Sequence, residues 1–89
     1  MKKTDARRIV TMLKSGAKNT AGGQIVRTIQ YAEPWFVVRV QDKRENLDDL
    51  QEFSEETFIQ LLCKEYDLHS FQGQLTTWEK KQENKSNLK

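Results

Sequence analysis

Two runs of strand-forming residues, 24–32 and 35–41, stand only a short link apart, and they constrain this chain more than any other feature. Both are rich in Ile, Val, Tyr, Trp and Phe, the residue types that suit a pleated, half-buried surface. The link Ala32-Glu33-Pro34 is too short for a crossover, so the two runs form an antiparallel hairpin. Pro34 has no N–H to give to a ladder and belongs in the turn. Alternation places Ile25, Ile29 and Tyr31 on one face of the first strand, and Phe36, Val38 and Val40 on one face of the second. These six are the hairpin's expected core. Trp35 and Val37 fall on the opposite face, which is either covered by a further element or used for binding.

A lone hairpin is at best marginal in water, so helices must complete the core. Ala6, Ile9, Val10 and Leu13 recur at helical spacing behind the capping candidates Thr4 and Asp5, and Gly16 is a natural stop. Asn19-Thr20-Ala21-Gly22-Gly23 is expected to be a mobile loop, as is the charged stretch 42–46. Leu47, Leu50 and Phe53 are spaced by three and suggest a helical turn. Ser54 caps a helix over 55–66, with Glu55 and Glu56 complementing its dipole and Phe58, Leu61, Leu62 and Tyr66 on one face. Leu68, Phe71, Leu75 and Trp78 suggest a further helix. Gly73 lies inside it, so a third strand over 71–78 is the structural alternative.

The resulting expectation is one α+β domain over residues 1–79, in the order α-β-β-α-α, with a β-hairpin or a three-stranded antiparallel sheet packed on two or three helices. Residues 80–89 are almost purely polar, the composition of a disordered tail. Eighty-nine residues leave no room for a second core. No apolar run is long enough to span a membrane, and the basic Met1-Lys2-Lys3 start is not followed by the apolar stretch of a signal peptide. Cys63 is a single cysteine and cannot form an internal disulfide, which fits a reducing compartment. The cytoplasm is therefore the expected location.

Charge is unevenly distributed. Residues 1–27 carry seven Lys/Arg against one acid, residues 28–67 four against ten, and residues 68–89 four against two. Basic ends attract polyanions or pair with the chain's own acidic middle. Lys3, Arg7, Lys14 and Lys18 share a basic edge about a quarter-turn from the apolar stripe of the first helix. The segment from Phe58 to Lys81 resembles a helix-turn-helix: an apolar first helix ends at Lys64-Glu65-Tyr66, a polar turn follows Asp67-Leu68, and a second helix closes on Trp78-Glu79-Lys80-Lys81. That resemblance implies a DNA-reading second helix in which His69, Ser70, Gln72 and Gln74 read base edges while Lys80 and Lys81 contact phosphates. The gap from Tyr66 to Trp78 is about two residues longer than the compact motif. No Lys or Arg precedes Lys80 in the second helix, although Arg is the usual guanine reader.

The acidic run Glu45, Asp48, Asp49, Glu52, Glu55 and Glu56 contains no base, and it lacks the glycine-centred spacing of a calcium loop. It suits docking to a basic partner through charge complementarity. Catalysis finds no support: one His and one Cys, with Ser70 beside His69, do not make a nucleophile, base and orienting group. They also cannot complete a structural zinc site, and the glycines match no phosphate loop. The expectation is a non-enzyme with no metal, cofactor, membrane or small-molecule substrate. It acts by binding a protein partner or a second copy of itself, as an inhibitor, adaptor or subunit. The candidate protein contacts are Asp48, Asp49 and Glu52 on an acidic helical surface, and Trp35 and Val37 on the exposed hairpin face. Nucleic acid is the alternative partner, through Lys3, Arg7, Lys14, His69, Gln72, Gln74, Lys80 and Lys81.

Overall fold

A computed structural model describes the backbone of residues 1–87 and the side chains of residues 1–84. In chain order the elements are α1 (Lys3–Lys14), β1 (Asn19–Ala21), β2 (Ile25–Ala32), β3 (Trp35–Asp42), β4 (Leu47–Phe53), α2 (Glu55–Glu65) and α3 (His69–Asn87). The strands form one antiparallel meander in the order β1-β2-β3-β4. Against one face of it α1 packs on β2 and α2 on β3 and β4, while α3 packs on α1. The chain is an α+β domain with two more strands than the hairpin that the sequence predicts.

The predicted stripe of α1 is buried in full: Ala6, Ile9, Val10 and Leu13 are joined by Met12 beneath the sheet. Burying each of the larger side chains is worth roughly 1.5–3 kcal/mol. The helix stops at Ser15, where Gly16 turns the backbone to φ +107°, a value that favours glycine. In the hairpin, Ile29 stands opposite Val38 and Tyr31 opposite Phe36. Ile29, Phe36 and Val38 are buried, and Tyr31 and Val40 lie half-buried beside them. The Phe36 ring stacks on Phe58 of α2 with centroids 4.7 Å apart. Ile25 departs from the expected core and is 55% exposed. Its row continues through Asp42 to Leu47, which is half exposed as well, so this end of the sheet is open.

Two segments differ from expectation. Residues 19–21, read as a mobile loop, pair with β2 as Asn19↔Ile29, Thr20↔Thr28 and Ala21↔Arg27. Gly22 makes the return possible: at φ +113° a Cβ there would sit 1.9 Å from the Ile25 carbonyl oxygen. Residues 47–53, read as a helical turn, form β4 in unbroken register from Asp42↔Leu47 to Phe36↔Phe53. Unpaired backbone groups along β3 would be costly to leave half-buried, and pairing with β4 satisfies them. Strand periodicity then sends Leu47 and Phe53 to the helix side and Leu50 to the other.

Ser54 caps α2 as predicted, its Oγ accepting the Thr57 N–H at 3.4 Å. Phe58 and Leu62 are buried, while Leu61 and Tyr66 are half-buried. Residues 69–87 are helix, not a third strand, with Phe71 and Leu75 buried and Trp78 partly so. Gly73 is tolerated on an open side of the helix, where an added Cβ would meet nothing within 4 Å. The helix runs through Asn87, so residues 80–87 are helical where polar composition predicts a disordered tail; residues 88–89 lie outside the described residues.

The last helix is fastened to the beginning of the chain. Arg8 donates from Nε and Nη2 to the Glu79 carboxylate at 2.8 and 2.5 Å, and from Nη1 to Asp5 at 2.9 Å. Trp78 Nε1 donates to Ser15 Oγ at 2.9 Å. Gln74 donates to the Lys18 carbonyl at 2.6 Å and accepts from the buried Asn19 side chain at 2.9 Å. These polar contacts supply the geometric specificity that α3, with only two fully buried apolar residues, lacks from packing alone.

Candidate functional site: an open sheet face with an acidic edge

All the sheet residues of the main core, from Ile29 and Tyr31 to Phe53, lie on the face toward the helices. Alternate residues point the other way, and no described element covers them. On this open face β2 contributes Val26, Thr28, Gln30 and Ala32, β3 Trp35, Val37, Arg39 and Gln41, and β4 Asp48, Leu50 and Glu52. Reading across the strands, Val37 lies between Gln30 and Glu52, and Arg39 between Thr28 and Leu50.

The face combines apolar area with charge. Trp35 is 43% and Leu50 54% exposed. Val37, on the central strand, is screened to 6% by its neighbours yet is not part of the core beneath the helices. One corner carries a two-point ion pair, with Arg39 Nε and Nη2 donating to the two Asp48 oxygens at 2.9 and 2.6 Å. The hydrogen bonds to Arg39 hold the Asp48 carboxyl below its ordinary range, and Asp48 in turn raises the Arg39 guanidinium. Among the described residues Asp49 and Glu52 enter no ion pair.

The fold therefore gathers four of the five predicted protein contacts, Trp35, Val37, Asp48 and Glu52, on one surface. Asp49 is separated from them: it lies beside Val40 on the helix side of the sheet. The acids stand on a strand and not on the helical surface that the sequence predicts. Leu50 and Arg39 complete the surface and are not among the contacts that sequence predicts. Arg39 is detectable from its parity with Trp35 and Val37, whereas Leu50 becomes visible only once 47–53 is known to be a strand.

The residues proposed for nucleic acid are more dispersed in role. Lys14 forms an ion pair with Glu55, whose hydrogen bond raises its ammonium group, and stands 5.8 Å from the Tyr31 ring centroid. Basic start and acidic middle thus meet at the surface of the fold. Lys3 and Arg7 line a groove between α1 and α2 that also contains Glu55 and Glu56. Gln74 is occupied in holding β1. Gln72 bonds Thr76 along its own helix at 3.2 Å, and the His69 N–H donates to Asp67 at 3.2 Å. Lys80 is exposed near the Glu79 ion pair, and Lys81 edges a shallow groove with Trp78, Thr77 and Ala17.

Among the described residues no cluster of His, Cys, Asp and Glu gathers with the geometry of a metal site, and no helix is long and apolar enough to cross a membrane. No family model, curated protein or solved structure matches the chain.

Proposed function

We propose that this chain is a non-catalytic interaction module that binds a protein partner through the open face of its sheet. The observation that carries the reading is the concentration of exposed Trp35 and Leu50 around Val37, rimmed by Glu52 and the Arg39–Asp48 pair. A large aromatic in an apolar centre with a charged rim is the composition of a binding hot spot. Single exposed apolar residues are ordinary, but two that flank Val37 on a sheet face that no described element covers are a reason to expect a partner. Inhibitor, adaptor and subunit roles all fit this surface.

The test is affinity capture from the native cell with the wild-type chain and with Trp35→Ser/Leu50→Ser. Loss of the same captured protein from the variant supports the reading; equal capture by both rules out the face. Nucleic-acid binding receives less support, because Lys14 is neutralised by Glu55 and Gln74 is committed to the fold. An anisotropy titration against DNA and RNA at two salt concentrations separates the readings. Binding that is lost on reversing Lys3 and Arg7 but kept in the sheet-face variant would reverse their order.

A further inference from the structure

We infer that β4 accepts an extended basic segment of a partner protein as a fifth strand; the inference rests on the open face being the docking surface and names the chemistry of what docks. β4 is the last strand of the sheet, so along Leu47–Phe53 every second residue turns its N–H and C=O away from β3. No described segment takes them up. Its register with β3 is unbroken, which leaves the outer edge straight and without the bulge that would deter an added strand. The opposite edge, β1, is three residues long and offers far less.

A second copy of this chain is a poor occupant for two reasons. The open face, about three full strands at ~4.8 Å spacing and ~26 Å in length, covers roughly 400 Å². A stable face-to-face dimer needs about 800 Å² from each partner. Edge-to-edge pairing of two β4 strands brings acids together. Centred on Leu50 it sets Asp48 opposite Glu52 twice. Centred on Asp49 it sets that carboxylate opposite its own copy. Like charges directly across a ladder are destabilising.

The same acids favour a basic strand. Asp48 is engaged by Arg39, leaving Asp49 on the helix side and Glu52 on the open side, three residues apart. An antiparallel segment with two Lys or Arg three positions apart sets one cation beside each acid. An apolar residue immediately before its second cation then falls beside Leu50 and extends the patch around Trp35. Backbone pairing supplies binding, and the two cations and the apolar side chain supply choice.

The probe is the capped peptide Thr-Val-Lys-Thr-Val-Lys-Thr-Val, compared with the same peptide carrying Glu at both Lys positions. Amide exchange and chemical shifts of the intact protein are followed by NMR. The expected result is slowed exchange at alternate β4 amides with the Lys peptide, and affinity that falls about tenfold or more for Asp49→Lys/Glu52→Lys and for the Glu peptide. Equal binding of the two peptides, protection elsewhere than β4, or no binding overturns the inference. In capture experiments, a native partner lost by Trp35→Ser but held equally by Asp49→Lys/Glu52→Lys overturns strand addition alone. A partner indifferent to both variants overturns the reading of the face as well.

Discussion

Alternate residues of one strand live in two different surroundings here. Phe36 and Val38 point from β3 into the core, where Phe36 stacks on Phe58 and is fully buried. Trp35, Val37 and Arg39 point from the same strand to a face that no described helix covers. The first set determines whether the sheet and helices hold together. The second set contributes little to that task and retains exposed apolar surface at a solubility cost. The difference between the two faces separates residues that join sheet to helices from residues turned away from that junction.

The sharpest way to break this contrast is Phe58→Ala. Removing a fully buried ring that stacks on Phe36 should cost about 3–5 kcal/mol in urea unfolding. A loss below ~1 kcal/mol would mean that the helix side is not the principal core. Val37→Ala tests the opposite face at its most protected point. Because solvent can close over the lost methyls, the expected cost is nearer ~1 kcal/mol. A cost equal to that of a core deletion would show that the open face is covered in solution.

Trp35→Ser and Leu50→Ser should each cost about 1 kcal/mol or less, since each side chain is only about half covered. Their effect should appear in partner capture. The smallest effects concern the ion pairs on the two sides of the sheet. Arg39 lowers the pKa of Asp48 and Arg8 lowers that of Glu79, in each case mainly through a hydrogen bond. A carboxyl depressed in the folded state adds stability above its unfolded value, roughly pH 4, and that contribution disappears as pH falls through the lower folded value. Carboxyl NMR titration should show the Asp48 midpoint move up in Arg39→Gln and that of Glu79 move up in Arg8→Gln. An unmoved midpoint would mean that the pair is not formed in solution.

The first two helices and the central hairpin are legible in sequence because each carries a long periodic signal: the α1 stripe, the Ser54 cap before Phe58 and Leu62, and the alternation through Phe36 and Val38. The third helix is legible only in part: Phe71, Leu75 and Trp78 suggest it, but Gly73 leaves a strand open and the polar residues 80–87 read as a tail. The outer strands are not legible. β1 is too short to show a period. β4 is an edge strand with no buried residue, so burial imposes no alternation on it, and its Leu47-Leu50-Phe53 spacing imitates a helix. The candidate surface is half legible for the same reason. Trp35 and Val37 follow from the parity of the hairpin, but sorting Asp48 and Glu52 from Asp49 requires knowing that they alternate on a strand.

The fastening of α3 to α1 sets an order of events during synthesis. The four strands can pair with their sequence neighbours as they emerge, since every strand contact is between consecutive elements. Helix α1 can settle on β2 early but gains the rest of its cover only later: its buried side chains also meet α2 and α3, and Arg8, Ser15 and Lys18 find partners at Glu79, Trp78 and Gln74, more than fifty residues later. Until then Ile9, Met12 and Leu13 are sticky surface on a growing chain, the kind of exposure that recruits chaperones. We expect nascent chains halted after Glu65 to bind a hydrophobic holdase more strongly than complete ones, and equal binding would show that the amino-terminal helix is already sheltered by the sheet.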